Sequence, residues 1–151
     1  MAILRVNSIM KNPSLCDGYG YRTVLFLQGC DLRCKGCQNK STRNINKGEL
    51  IDSHELALTL RKQCMNKKLT ISGGEPLLQT DSLLALLEEL KDFDLCLYTG
   101  HQIEEVPKEI LKYLKYIKVG PFIEELKTTT KPFVGSKNQE FMEVRHDETS
   151  K

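Results

Sequence analysis

Three closely spaced cysteines are the residues of this chain most suited to carry chemistry. Cys30, Cys34 and Cys37 fall within eight residues, with gaps of three and two residues between them. A short loop with this spacing can hold one inorganic group through its thiolates. Three thiolates are one fewer than a closed four-coordinate site uses, and an open coordination position is where a metal centre can react. The spacing therefore predicts an iron–sulfur cluster with one iron left for a ligand other than cysteine.

Two other interpretations of the cysteines stay open from the residues alone. A structural zinc site takes four ligands, so it would need Cys16 or Cys64 in addition, and neither has a Cys-x-x-Cys partner. A disulfide framework is less favoured, because clustered thiols cannot all pair with scattered ones without strain. Cys96 lies in an apolar stretch and is predicted to be a small core residue.

Length, charge and hydropathy indicate one soluble domain, residues 1–151, with a mobile tail at 146–151. The balance of 22 basic and 20 acidic residues does not favour a nucleic-acid partner. The N-terminal residues lack the apolar core of a secretion signal, and no apolar run approaches the ~20 residues of a membrane helix. We expect a cytoplasmic protein with reduced thiols and no membrane partner.

Apolar, β-forming stretches predict four buried strands and one short edge strand. The buried strands are placed at 24–27, 69–71, 95–98 and 116–119, and the edge strand at 3–6. Helices are predicted between them, at 83–90, at 107–113, and from an Asp52 cap, with Glu55 three residues on, to about Asn66. Five strands are too few for a closed barrel of eight. The predicted fold is therefore α/β, a partial, open β/α barrel with a mostly parallel sheet.

A second candidate motif, Ser72-Gly73-Gly74-Glu75-Pro76, follows the second buried strand directly. Glycines allow a backbone to approach a ligand closely, and carbonyls at a strand end can accept bonds from an amino group. Alone, the motif is more typical of an ordinary Gly-Gly turn before a helix than of a ligand site. Both motifs follow strands, so they should meet at the carboxyl edge of the sheet, where α/β proteins bind ligands.

The cysteine spacing and the Gly-Gly-Glu motif together resemble the radical S-adenosylmethionine superfamily. The resemblance implies that Cys30, Cys34 and Cys37 hold a 4Fe–4S cluster whose fourth iron binds S-adenosylmethionine. It also implies that one electron from the reduced cluster cleaves S-adenosylmethionine and yields a 5′-deoxyadenosyl radical. The cofactor-binding residues implied by the resemblance are Gly36, Gln38, Asn39, Ser72, Gly73, Gly74, Glu75 and Thr99.

Most of the chain resembles one subfamily, the activating proteins of anaerobic ribonucleotide reductases. The similar segments are 17–22, 37–42, 98–101, 120–122 and 135–139. The resemblance implies that a glycine of the reductase's large subunit loses a hydrogen and becomes a glycyl radical. It also implies a flavodoxin or ferredoxin-type electron donor. Gly36 stands where many members of the superfamily have an aromatic residue, as is frequent in the activating proteins. Two positions differ more: Gln38 replaces the usual Tyr or His, and Val119 stands where some relatives carry Asp.

Other functions stay open at this point. The chain could activate a different glycyl-radical enzyme, or act directly on a metabolite or RNA. It could also be a non-enzymatic metal-binding module. Metal and sulfide analysis would separate the last of these from the radical enzymes, since zinc without sulfide is incompatible with a cluster.

Overall fold

The computed structural model describes residues 2–10, 21–29, 44, 47–121, 123–128, 131, 133–134 and 136–144. The three clustered cysteines lie outside the described residues, as do Cys16, Gly36, Gln38, Asn39 and the tail at 146–151.

The described part of the chain alternates strands and helices after an initial pair of strands. The strands are β1 (Ile3–Ile9), β2 (Thr23–Leu27), β3 (Glu49–Asp52), β4 (Lys68–Gly73), β5 (Asp94–Tyr98), β6 (Tyr116–Val119) and β7 (Glu140–Glu143). The helices are α1 (Ser53–Gln63), α2 (Thr80–Glu89) and α3 (Lys108–Leu111). None of these helices has the length and apolar character needed to span a bilayer.

All seven strands form one open sheet in the order β3-β1-β2-β4-β5-β6-β7. β2, β4, β5 and β6 are parallel neighbours, whereas β1 is antiparallel to β2 and β3, and β7 is antiparallel to β6. Five strands, β2 to β6, therefore run in one direction, and the helical crossovers bring their carboxyl ends to one edge. The predicted open, mostly parallel α/β sheet is confirmed.

The two faces of the sheet differ in chemistry because side chains alternate along each strand. One face packs against the helices and is apolar; it includes Leu69, Ile71, Leu95, Leu97 and Ile117 from the strands. In α1 and α2 the contacting residues are the helical-period leucines Leu56, Leu60, Leu83, Leu86 and Leu87. The opposite face, which we call the polar face, carries Thr70, Ser72, Cys96, Tyr98, Tyr116 and Lys118.

The predicted start of α1 at an Asp52 cap is confirmed. Asp52 caps α1 by accepting hydrogen bonds from the backbone N–H groups of His54 (3.0 Å) and Glu55 (3.3 Å). The helix ends at Gln63 rather than near Asn66. A strand does form at 3–6, but the prediction that it is a short edge strand was wrong. β1 is seven residues long and lies inside the sheet, between β2 and β3.

The amino ends of three strands are joined by a fully buried arginine, Arg22. Its Nε donates to the Thr70 hydroxyl at 2.9 Å, and its Nη2 donates to the backbone oxygens of Leu69 (2.9 Å) and Asp94 (2.6 Å). Its Nη1 lies 3.0 Å from Oδ1 of Asp94. Arg22 therefore links β2, β4 and β5 at the end opposite to the carboxyl edge.

Candidate active site at the carboxyl edge of the sheet

The Gly-Gly-Glu segment lies at the carboxyl end of β4, in direct contact with the end of β2. Gly73 has φ +128°, and a Cβ added there would lie 2.2 Å from the carbonyl oxygen of Leu27. The N–H of Gly74 donates to that same carbonyl at 3.1 Å, and the N–H of Glu75 donates to the carbonyl of Gly29 at 2.7 Å. Only glycine permits this approach at position 73. The segment is thereby fixed against the residue that immediately precedes the first cysteine of the loop.

The Glu75 carboxylate, 1 % exposed, joins β4 to β5. Its Oε2 accepts from the hydroxyl of Thr99 (2.7 Å) and the N–H of Leu77 (3.0 Å), and its Oε1 accepts from the N–H of Gly100 (2.7 Å). Burial raises the pKa of Glu75 above its ordinary value, although these three donors act to lower it. Because its donors belong to the segments that follow β4 and β5, the carboxylate holds these two strand ends together.

Thr99 continues the connection from β5 to β6. Its N–H donates to the carbonyl of Lys118 at 3.0 Å, and its hydroxyl oxygen accepts from the N–H of His101 at 3.1 Å. The carbonyl of His101 in turn accepts from the N–H of Gly120 at 2.9 Å. The imidazole of His101 lies 3.2 Å from a carboxylate oxygen of Glu105. The turns after β4, β5 and β6 thus form one hydrogen-bonded edge.

Val119, at the position where some relatives carry an aspartate, is part of the hydrophobic core. Val119 is 3 % exposed and packs with the helix-facing residues. The neighbouring Lys118 lies on the polar face, with its Nζ 4.2 Å from the ring centroid of Tyr98. That ring also meets Phe141 of β7 edge-on at 6.4 Å. A cation held over an aromatic ring therefore lies on the polar face, near the carboxyl ends of β5 and β6.

Two segments that resemble the activating proteins, 120–122 and 135–139, contact each other through their described residues. The buried side chain of Gln139 donates to the carbonyl of Gly120 at 3.0 Å and accepts from the N–H of Ser136 at 3.1 Å. Asn138 donates to the carbonyl of Pro121 at 2.9 Å. These bonds hold the turn after β6 in place.

Cys64 and Cys96 are free, buried thiols. Burial raises the pKa of Cys96 to about 12, as expected for a core thiol. The Cys64 thiol donates to the carbonyl of Lys68 at 3.0 Å, which places it at the amino end of β4. At ~3.3 Å per residue, β4 separates Cys64 from the Gly-Gly-Glu segment by roughly 16 Å. This separation argues against Cys64 as a fourth ligand, and no other group of potential metal ligands occurs among the described residues.

The structure brings Ser72, Gly73, Gly74, Glu75 and Thr99 together at one edge, beside Gly29. Two further residues at this edge, Gln28 and Gln79, were missed. The available sequence signal was a single polar residue, Gln28, following directly on a buried strand.

The chain matches the family model of the 4Fe-4S single cluster domain over residues 16–142. It is 33% identical to the anaerobic ribonucleoside-triphosphate reductase-activating protein of Haemophilus influenzae, over 82% of this chain and 88% of that protein. It is 36% identical to the protein of the same name from Enterobacteria phage T4, over 82% and 86%. Among solved structures, QueE from Escherichia coli has the same fold, with a TM-score of 0.58 and 19% identity over 76% of this chain and 69% of that one.

An open, mostly parallel sheet in a chain that matches the 4Fe-4S single cluster domain defines the class of radical S-adenosylmethionine enzymes. The chain belongs, within that class, to the family of anaerobic ribonucleoside-triphosphate reductase-activating proteins, which are glycyl-radical activating enzymes. Its cofactors are a 4Fe–4S cluster and S-adenosylmethionine. The described residues fit these groups, because the Gly-Gly-Glu segment and the residue preceding the first cysteine are fixed side by side.

Proposed function

We propose that this chain activates the large subunit of an anaerobic ribonucleotide reductase, by removing hydrogen from one glycine of that subunit. The observation that carries the proposal is the similarity to reductase-activating proteins, which extends over 82% of the chain. When bound, the cluster and S-adenosylmethionine supply the one-electron cleavage that generates a radical able to take this hydrogen.

Within this proposal each predicted site residue has a task. The thiolates of Cys30, Cys34 and Cys37 bind three irons. The backbone of Ser72, Gly73 and Gly74 accepts hydrogen bonds from the amino group of S-adenosylmethionine, and Glu75 and Thr99 keep that backbone in position through their 2.7 Å bond. Gly36, Gln38 and Asn39 would help to hold S-adenosylmethionine, with its adenine against the backbone near Gly36 and against Gln38. The cofactors carry the chemistry, so no acid–base pair is assigned.

The shape of the sheet supports a protein substrate. Its edges, β3 and β7, do not pair with each other, so the sheet is not closed into a barrel. A glycine in a folded subunit can reach a buried radical only if a loop enters beside the sheet, and an open sheet leaves a side for that entry. We further propose that residues 1–151 form one domain, that a flavodoxin or ferredoxin-type protein donates the electron, and that the reaction is cytoplasmic.

The decisive experiment is electron paramagnetic resonance on an anaerobic mixture. It contains this protein with its cluster rebuilt, a reductant, S-adenosylmethionine and the reductase from the same source. We expect a glycyl doublet that requires S-adenosylmethionine. Cys34→Ala should abolish both the doublet and the release of 5′-deoxyadenosine, whereas the matched control Cys64→Ser should keep the cluster.

Three results would contradict parts of the proposal. Release of 5′-deoxyadenosine without a doublet would mean that another protein or a metabolite is the substrate. Retained activity in Cys34→Ala would refute the ligand assignment. Loss of the cluster in Cys64→Ser would restore Cys64 as a ligand.

A further inference from the structure

Gln28 lies at the start of the segment that contains all three clustered cysteines. It follows β2 and is 2 % exposed. Its backbone N–H donates to the carbonyl of Arg5 at 2.9 Å. Its side-chain Nε2 donates to the carbonyl of Asn44 at 2.8 Å, and its Oε1 accepts from Nδ2 of Asn7 at 2.8 Å. The Gln28 side chain therefore bonds directly to Asn44, across the segment 29–43 that contains the three cysteines.

The far end of the segment is itself fixed. The carbonyl of Asn44 also accepts from the N–H of Lys47 at 3.2 Å, which closes a tight turn. The carbonyl of Lys47 accepts from a guanidinium N–H of Arg5 at 3.1 Å. Next to this turn, Gly48 has φ +90°, and a Cβ there would lie 2.8 Å from Cβ of Gln28. The Gln28 side chain is therefore confined between this turn and β1.

The pairing of β1 with β2 is interrupted where Gln28 makes these bonds. The register shifts between Val6 and Ser8, which leaves Asn7 as an extra residue on β1. Such bulges re-aim side chains next to functional sites, and here Asn7 points its amide at Gln28. Gln79 completes the arrangement, because its side chain accepts from the N–H of Arg5 (2.7 Å) and donates to the carbonyls of Arg5 (3.1 Å) and Gln28 (3.2 Å).

We infer that Gln28 is a positioning residue for the cluster. Its side chain holds the two ends of the cysteine segment at a fixed separation. Because the fifteen residues 29–43 begin and end at this one side-chain amide, closing the segment does not depend on the cluster alone. The inference rests on the proposed cysteine ligands, but the closure of the segment can be measured without a cluster.

The test compares Gln28→Met with a matched control, Gln139→Met. Methionine keeps the length and bulk of glutamine and removes the amide bonds to Asn7 and Asn44. Gln139 is also buried, 4 % exposed, and its amide also closes a segment, but that segment contains no cysteine. Iron release to a chelator is measured on each cluster-loaded protein. We expect release about five- to tenfold faster from Gln28→Met than from wild type, the effect of losing one or two buried hydrogen bonds. Gln139→Met should release iron at the wild-type rate.

A second measurement separates this inference from the proposed function. Hydrogen exchange of residues 29–44 is followed by mass spectrometry in cluster-free protein, where we expect faster exchange in Gln28→Met than in wild type or Gln139→Met. Unchanged exchange and unchanged iron release would overturn the inference. Failure of wild type to hold a cluster would refute the proposed function, and the exchange result would still decide whether Gln28 closes the segment.

Discussion

The hydroxyl of Thr99 donates a 2.7 Å hydrogen bond to Oε2 of Glu75, across 24 positions of the sequence. The bond connects the turn after β4 with the turn after β5, and the N–H of Gly100 adds a second connection at 2.7 Å. Two motifs that are separate in the sequence are therefore one rigid unit in the fold.

Glu75→Gln should destabilise the folded chain by about 1–3 kcal/mol. The groups that face the carboxylate are all donors, so the amide NH₂ of glutamine would meet an N–H or O–H instead of accepting from it. Urea unfolding measures the loss. Glu125→Gln, which changes an exposed carboxylate, is the control and should unfold like wild type. Equal stability of the two variants would show that the bonds of Glu75 contribute nothing.

The stability difference between wild type and Glu75→Gln should depend on pH. Because burial raises the pKa of Glu75 above its ordinary 4.5, the folded chain binds this proton more tightly than the unfolded chain. The resulting stabilisation is complete below about pH 4.5 and is lost as the pH rises through the folded-state pKa. Wild type should therefore lose part of its advantage over the variant as the pH rises above about 4.5. A difference that grows over this range would mean that the three donors outweigh burial.

Arg22→Lys should cost on the order of 3 kcal/mol, although it keeps the charge. A lysine cannot donate simultaneously to the Thr70 hydroxyl and to the carbonyls of Leu69 and Asp94 that Arg22 reaches. Arg61→Lys is the matched control, because Arg61 also pairs with an aspartate, Asp92, but at the surface. Urea unfolding should show a much smaller effect for Arg61→Lys. Similar losses in both variants would contradict the role assigned to burial.

Gly73→Ala should prevent normal pairing of β2 with β4. A methyl group at this position would lie 2.2 Å from the carbonyl oxygen of Leu27, and neither backbone can move without breaking the ladder. Gly120→Ala is the control, because it tests backbone strain without a steric collision. Gly120 also has a positive φ, +103°, but a Cβ there would lie 3.4 Å from its nearest neighbour, the Cα of Gln139, which is an ordinary contact distance. We expect a loss of about 1–2 kcal/mol for Gly120→Ala, and a larger loss or no folded protein for Gly73→Ala. Circular dichroism during thermal unfolding measures both, and equal melting temperatures would refute the collision.

Secondary structure could be predicted from the sequence wherever it is determined by residues close together in the chain. Asp52 and the leucines of α2 predicted their helices correctly, because capping and helical period are local properties. β3 and β7 were missed because their sequences, Glu-Leu-Ile-Asp and Glu-Phe-Met-Glu, lack a buried, alternating pattern. They form strands because β1 and β6 offer them partners.

The candidate site was predictable in its composition but not in its internal bonds. The Gly-Gly-Glu motif was located correctly at the strand end, yet nothing in the sequence relates Glu75 to Thr99. The same holds for Gln28 and Gln79, since glutamine occurs in many environments and the partners of these two, Asn7 and Asn44 for Gln28 and Arg5 for Gln79, are distant in the sequence.

The division of the sheet into a helix-covered face and a polar face has a consequence for how such a chain can change over evolutionary time. In β5, Leu95 and Leu97 pack against the helices, whereas Cys96 and Tyr98 lie on the other side. Inserting a single residue within the strand would exchange the two sets, burying polar groups among leucines and moving leucines to the polar face. Substitutions can therefore accumulate within β4 and β5, but changes in length should be confined to the connections between strands.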